Sequence, residues 1–246
     1  MKKFKHFLPV LAMFVCANTF AQTSVVNHFN KVIVSPYIQV TFVEGSEESV
    51  TIEKSTVSNE KIHLEVNDKT LRIYLEGAKD IPKSKKVYEN GYKEKQPLYK
   101  GTVVTATITY KTLTELSVRG EETQLCKSLL KGDKFRLRIY GESHVIFNEV
   151  NLGKLHATTY GESDLEIKSG TIKVQRYTAY GESKINSLGI SGKTGSITAY
   201  GEAAFQMNVS DEIKITAFGE ATLQYKGDPK INKGLHFGTM HVDRID

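Results

Sequence analysis

The sequence has no tryptophan and only two cysteines in 246 residues. Cys16 lies in an N-terminal segment that we expect to be removed on export, so Cys126 has no cysteine to pair with in the mature chain. We expect Cys126 to be a small buried apolar residue. The mature chain therefore cannot form an intrachain disulfide, even though the compartment of an exported protein would permit one. Packing and backbone pairing must stabilise the fold instead.

Long apolar runs are also missing. The apolar stretch at residues 7–16 is too short to span a bilayer, and it follows a segment with three lysines. With the small residue Ala21, this pattern predicts a signal peptide over residues 1–21. We expect an exported protein, not a transmembrane one, in the periplasm, on the outer-membrane surface or secreted. A lipid anchor on Cys16 is the alternative, although Val15 stands where a lipobox usually has a small residue.

The chain has no strong excess of either charge. Its formal net charge is +5, and three of these charges belong to Lys2, Lys3 and Lys5 of the predicted signal, which leaves about +2. A balance this close to neutral gives no argument for a nucleic-acid partner.

Helical periodicity is absent outside the signal. Apolar and polar residues alternate instead through residues 29–112, which is typical of half-buried β-strands. The alternating apolar positions are Val32, Val34, Ile38, Val40, Phe42, Val50, Ile52, Ile62, Leu64, Val66, Leu71, Ile73 and Leu75. We expect this N-terminal part to be continuous with the repeats that follow, in a single domain over residues 22–246.

Residues 77–100 interrupt the strand pattern with seven lysines, three tyrosines and two prolines. We expect a solvent-exposed, lysine-rich surface loop. The alternative is a basic arm that docks on an acidic partner or on the protein's own glutamates, because a loop this long in a compact domain is usually functional or mobile.

A repeat fills residues 113–246. Its core is an aromatic-Gly-Glu-small tetrapeptide, and the glycines Gly141, Gly161, Gly181, Gly201 and Gly219 are spaced by 20, 20, 20 and 18 residues. A fixed period near 20 indicates stacked coils. The sequence thus predicts an all-β protein, a right-handed parallel β-helix (β-solenoid), with the handedness taken from the rule for parallel crossovers.

Alignment on the glycines predicts which columns face inward. The inward columns are mostly small or apolar, and they lie two residues before each glycine and two, four and six residues after it. The outward columns have the opposite parity and carry Thr, the aromatic residue and Glu. The outward columns give the candidate binding residues, which are Tyr140, Tyr160, Tyr180, Tyr200, Phe218, Glu142, Glu162, Glu182, Glu202 and Glu220.

The aromatic column has two interpretations. Coils stacked about 4.8 Å apart would place the rings at offset-stacking distance, as a ladder that fixes register. The alternative is a flat aromatic platform that stacks a sugar ring or packs on a partner.

The glutamate column, which Glu121 extends at its N-terminal end, would repel itself by roughly 0.9 kcal/mol per adjacent pair in water. Pairing with cations such as Arg136, Arg138, Arg176 and Lys214, solvation, or a proton on some carboxyls would relieve it. Ca²⁺ bridging successive carboxylates is a further alternative, although single oxygens in a line make no cage.

Motifs of catalysis and cofactor binding are absent from the sequence. Residues 141–145 superficially resemble a nucleophile elbow, but the fifth residue is Val145. There is no dinucleotide fingerprint, P-loop, zinc motif or EF-hand loop. We therefore expect no catalytic residue, no metal site and no cofactor.

Six segments of the sequence resemble the DUF2807 family, also called the putative auto-transporter adhesin head GIN domain. They are residues 37–45, 50–53, 71–75, 103–108, 113–118 and 226–231, and the resemblance covers about residues 29–245. It implies an exported protein of a type common in Bacteroidetes, with a β-helical fold and no established biochemical activity. The Tyr-Gly-Glu-Ser repeat departs from the small-residue repeats usual in the family.

Three functions follow as hypotheses. The first is a non-catalytic surface or periplasmic module that binds a glycan or an envelope protein through its outer tyrosines and glutamates. The second is a self-assembling structural envelope protein, since an exposed aromatic row suits a homo-oligomer contact. The third is a carbohydrate-active lyase or hydrolase, because some β-helices use outward carboxylates in catalysis.

Overall fold

The computed structural model describes residues 22–89 and 92–246. The predicted signal peptide and Cys16 lie outside the described residues. No helix in the described part is long and apolar enough to cross a membrane.

The N-terminal part folds into the strands that the alternation predicts. They are β1 (Gln22–Val25), β2 (Lys31–Val34), β3 (Ile38–Glu44), β4 (Ser49–Ser55), β5 (Ile62–Asn67) and β6 (Thr70–Leu75), with a single 3-10 turn at Asn59–Lys61. Apolar side chains at alternate positions of β2, β3 and β6 are fully buried, as expected for strands with one face on a core.

The rest of the chain is also built from strands. They are β7 (Ser84–Glu89), β8 (Tyr92–Pro97), β9 (Val104–Tyr110), β10 (Glu115–Gly120), β11 (Thr123–Cys126), β12 (Leu130–Gly141), β13 (His144–Phe147), β14 (Val150–Tyr160), β15 (Ser163–Ile167), β16 (Gly170–Tyr180), β17 (Ser183–Lys226) and β18 (Lys230–Arg244). The 44-residue β17 continues around the corners of successive coils without a break.

Parallel pairing between equivalent strands builds the predicted solenoid, which has about six turns. One row runs β2, β10, β12, β14, β16 and β17, and a second row runs β3, β11, β13, β15 and β17. Tyr140 pairs with Tyr160, Tyr160 with Tyr180 and Tyr180 with Tyr200. The 20-residue period therefore places like residues over one another.

The N-terminal end of the solenoid is closed by antiparallel strands. β4 pairs antiparallel with β9, β1 pairs antiparallel with β4, and β5 pairs antiparallel with β6. At the other end, β18 pairs in parallel with β17, and its side chains are mostly exposed.

Residues 77–100 are not the uniform loop that the sequence analysis expected. β7 and β8 pair antiparallel as a separate two-stranded sheet, with Ser84 opposite Pro97 and Glu89 opposite Tyr92. The sequence Asn-Gly lies between the two strands, and this dipeptide is a strong signal for a two-residue hairpin turn.

The inward columns of the repeat form the core, as predicted. Apolar members such as Val145, Leu165 and Leu223 are at most 1% exposed, and only Tyr225 among these columns is half-buried. Cys126 is also buried, and this burial raises the pKa of its thiol to about 11, as expected for a packed apolar residue.

A buried polar cluster interrupts the apolar core between neighbouring coils. The side-chain oxygen of Gln175 accepts hydrogen bonds from Tyr177 (3.0 Å) and Ser187 (2.9 Å), and its amide donates to the carbonyl of Asn208 at 3.4 Å. The side chains of Gln175, Tyr177 and Ser187 all make hydrogen bonds, so the cluster avoids the cost of an unpaired buried polar group.

We predict that Gly161→Ala destabilises the fold by about 1–2 kcal/mol, because L-residues disfavour a left-handed conformation. Gly161 has φ +99°, and an added Cβ would lie 2.8 Å from the carbonyl oxygen of Gly141. Gly132→Ala is the matched control, since no atom lies within 4 Å of the added Cβ. Equal urea midpoints for the two variants would contradict the role of the corner glycine.

Candidate binding surface

The ten candidate residues lie together along one edge of the solenoid, and we call this row the Tyr/Glu stripe. In each repeat the aromatic residue directly precedes the corner, the glycine turns the corner with positive φ, and the glutamate beyond it is exposed to solvent. The small residue that follows is buried. The structure therefore brings all ten residues together in two adjacent columns.

The serine of the tetrapeptide ties two of the corners to the preceding coil. Ser143 donates a hydrogen bond to the carbonyl of Gly120 at 2.9 Å, and Ser163 donates to the carbonyl of Gly141 at 3.0 Å. These bonds satisfy buried hydroxyls and hold the corners in register.

The aromatic residues form the ladder that the sequence analysis expected. Ring centroids are 4.8 Å apart from Tyr140 to Tyr160, 5.0 Å to Tyr180, 4.9 Å to Tyr200 and 5.1 Å to Phe218. Adjacent planes are within 5° of parallel. The spacing matches that of paired strands, because the backbone holds the rings at this distance.

The two ends of the ladder differ. At the N-terminal end, the Arg119 guanidinium lies 5.5 Å from the Tyr140 centroid and also contacts the carboxylate of Asp80. At the other end, Phe237 stacks on Phe218 at 5.8 Å and is 63% exposed. The ladder thus begins with a cation–π contact and ends with an exposed ring.

This stack corrects the idea of a flat aromatic platform. Each ring from Tyr140 to Phe218 has a ring or a guanidinium against both faces, so a sugar has no open face to stack on. Tyr160, Tyr180 and Tyr200 are 37%, 39% and 40% exposed. A ligand can therefore reach only their ring edges and hydroxyls.

Partial burial raises the pKa of Tyr160, with smaller effects from Tyr140 and Tyr180. Its hydroxyl is therefore a hydrogen-bond donor at neutral pH.

The glutamate column is exposed throughout. Across the described residues, none of its carboxylates has a basic side chain within ion-pair distance. Arg136 and Arg138, which were two of the cations considered as partners for the column, both contact Glu115 on the neighbouring coil. Of the alternatives drawn from the sequence, solvation of the carboxylates therefore fits these contacts better than ion pairing.

A groove of about 410 Å³ runs along the glutamate column. Its lining residues include Glu162, Glu182, Glu202, Glu220 and Lys184. Within the described ranges, no three His, Cys, Asp or Glu side chains are arranged to hold a metal ion.

A second cavity, of about 450 Å³, lies at the N-terminal end of the stripe, and Tyr140, Glu142 and Ile81 contribute to its lining. Glu122 also lines it and is only 6% exposed, at a position where later repeats have serine or alanine. Burial raises the pKa of Glu122, while backbone N–H groups of Glu121, Tyr37 and Glu122 itself oppose the shift. Glu122 is not among the site residues predicted from the sequence, although its place in a buried column was a signal.

The model of the family DUF2807, described as "Putative auto-transporter adhesin, head GIN domain", matches residues 28–229. The chain belongs to this family. The match covers most of the chain and confirms the resemblance noted from the sequence. No match was found among curated proteins.

Solved structures share the fold of this family member. A putative adhesin from Bacteroides fragilis superposes with a TM-score of 0.73 at 19% identity, covering 92% of this chain and 96% of its own. A putative adhesin from Parabacteroides merdae gives 0.65 at 17% identity, covering 92% and 95%. A protein from Parabacteroides distasonis described as a putative lipid binding protein gives 0.61 at 16% identity, covering 93% and 98%. At these identities the likeness establishes the fold alone.

We predict that Tyr180→Ala lowers the free energy of unfolding by about 1–3 kcal/mol, because two stacking contacts are lost. Tyr180→Phe keeps both contacts with Tyr160 and Tyr200 and should unfold at nearly the wild-type urea concentration. If the phenylalanine variant is destabilised as much as the alanine variant, the hydroxyl rather than the stack holds this rung.

Removal of charge from the glutamate column should stabilise the protein. The triple variant Glu162→Gln, Glu182→Gln, Glu202→Gln should melt at higher temperature in low salt, since each adjacent pair costs roughly 0.9 kcal/mol in water. The gain should shrink in 1 M NaCl because salt screens exposed charges. Glu166→Gln is the control, because Ile146 and Asn186 are its uncharged neighbours on the adjacent strands. A gain that does not depend on salt would argue against repulsion.

If Ca²⁺ binds the glutamate column, the charged carboxylates stabilise the protein when calcium is added. If Ca²⁺ bridges the carboxylates, millimolar CaCl₂ should raise the melting temperature of the wild type, chelator should reverse the rise, and the triple variant should not respond. An unchanged wild-type melting curve would end this hypothesis.

Proposed function

We propose that this protein is an exported, non-catalytic adhesion module that binds a partner through the Tyr/Glu stripe. The family and the similar structures support an adhesion-type role, and they are described as adhesins or as a lipid-binding protein. The finer assignment rests on one observation, which is the row of exposed carboxylates, without ion pairs to any of the described residues, beside a row of tyrosine hydroxyls.

The chemistry of the stripe favours a glycan rich in hydroxyl groups. Carboxylates accept hydrogen bonds, and a phenol both donates and accepts, so successive coils repeat the same pair of groups at strand spacing. A sugar hydroxyl can donate to a glutamate and accept from a tyrosine. The crowded negative charge disfavours acidic sugars, which makes neutral or amino sugars the better partners.

A glycan array probed with the mature protein tests this proposal. Tyr160→Phe, Tyr180→Phe, Tyr200→Phe keeps the ladder and removes three hydroxyls, and the triple glutamine variant removes three carboxylates. Both should lose most binding to neutral and amino glycans, whereas Glu166→Gln should bind like the wild type. If both triple variants capture the same glycans as the wild type, the stripe is not the binding surface.

Self-assembly is the second candidate function. It is favoured by the exposed ring of Phe237 at the end of the ladder and by Leu235, which is 62% exposed on the same strand. Light scattering at high protein concentration should then report a species larger than the monomer, and Phe237→Ser should reduce it. A strict monomer would exclude this role.

A further inference from the structure

The outer face of the β12–β14–β16 sheet is basic, and it lies across the aromatic ladder from the glutamate column. We call it the basic face. Its outward basic side chains include Lys134, Arg136, Arg138, Lys154, His156 and Arg176, and Asp133 on β12 is also exposed. The carboxylate of Glu115 contacts Arg138 and lies 3.6 Å from Arg136. One acid is therefore shared by two arginines.

Three of these side chains form a column of their own. Arg136 pairs with His156, and His156 pairs with Arg176, in the registers of β12, β14 and β16. Their backbones are therefore about 4.8 Å apart. A protonated His156 would lie one strand spacing from each arginine, so positive charges in this column repel and the column does not stabilise the fold by itself.

The lowered pKa of His156 reflects both partial burial and the positive charge of this face. Burial lowers the pKa of its imidazole, and Arg176 on β16 together with Arg136, Lys134 and Arg138 on β12 lowers it further. The charged groups that lower it most are all basic, and Glu115 lies beside two of them, Arg136 and Arg138. An anion placed here would favour the imidazolium and relieve the repulsion among its neighbours.

We infer that the basic face binds a linear anionic polysaccharide, with Arg136, His156 and Arg176 each facing a carboxylate or sulfate group. The guanidinium fork of arginine matches the geometry of such groups. Thr158 and Thr178, in the next outward column, add hydroxyls that can bond to the sugar itself.

A polysaccharide is favoured over other polyanions by the shape and the charge of the face. The column is short and straight, and it follows the solenoid axis, which suits a single extended chain with regularly spaced anions. The column is one side chain wide, whereas duplex nucleic acid and membranes favour broad positive surfaces. This site is distinct from the Tyr/Glu stripe.

Titration calorimetry with dextran sulfate and polygalacturonate tests the inference, with neutral dextran as the blank. We expect Arg176→Gln and Lys154→Gln each to weaken binding by about tenfold, as loss of a charge-assisted contact does. Lys168→Gln is the matched control, because Lys168 is exposed just after β15 in the other row of strands. The Arg176→Gln variant should melt no lower than the wild type, which separates binding from folding.

The pH dependence gives an independent readout with dextran sulfate, whose sulfates stay charged. The pKa of His156 is lowered in the free protein, and a bound sulfate should raise it, so binding takes up a proton. Affinity should therefore rise as pH falls from 8 to 5. In His156→Gln this rise should be lost, while Arg176→Gln should retain it.

Three results would overturn the inference. The first is wild-type affinity of Arg176→Gln and Lys154→Gln for both polymers. The second is tighter binding to vesicles of anionic phospholipid or to duplex DNA than to either polymer. The third is a pH dependence that persists unchanged in His156→Gln.

Discussion

In-register hydrogen bonding between parallel coils is the interaction on which the rest of the structure depends. It sets the distance between equivalent residues, and this distance is the same whether the resulting side-chain interaction is favourable or unfavourable. For Tyr140, Tyr160, Tyr180 and Tyr200 it is close to the optimum for stacked rings. For the glutamates it is unfavourable. The same backbone geometry therefore produces a stabilising column and a destabilising column side by side.

Much of this arrangement could be predicted from the sequence because a solenoid turns sequence period into spatial neighbourhood. The spacing of the glycines was enough to predict that the aromatic residues share one column, and to predict the exposed glutamates and the buried columns. Interactions that skip the period could not be predicted in this way. The Gln175 cluster is such a case, because it depends on contacts between different columns, whereas Glu115 is the register partner of Arg136 on the adjacent coil.

Two other features, the β7–β8 hairpin and the orientation of the rings, could not be predicted from the repeat period. The hairpin of β7 and β8 lies in a lysine-rich segment where composition had suggested only a loop, and the sequence there contains Asn-Gly, a common hairpin signal. The orientation of the rings was the harder problem. A ladder and a platform use the same residues, and only the near-parallel planes show that each ring face is already covered. The choice between them changes which atoms a ligand can reach.

The coil between Gly201 and Gly219 is two residues shorter than those before it, yet Tyr200 and Phe218 still stack at 5.1 Å. Length can thus vary elsewhere in a coil as long as the corner is kept, which makes each coil a unit that gene duplication could add or remove. Such growth would have a preferred direction. A new aromatic rung could continue the column beyond Phe237, whereas at the opposite end it would displace the guanidinium of Arg119 from Tyr140.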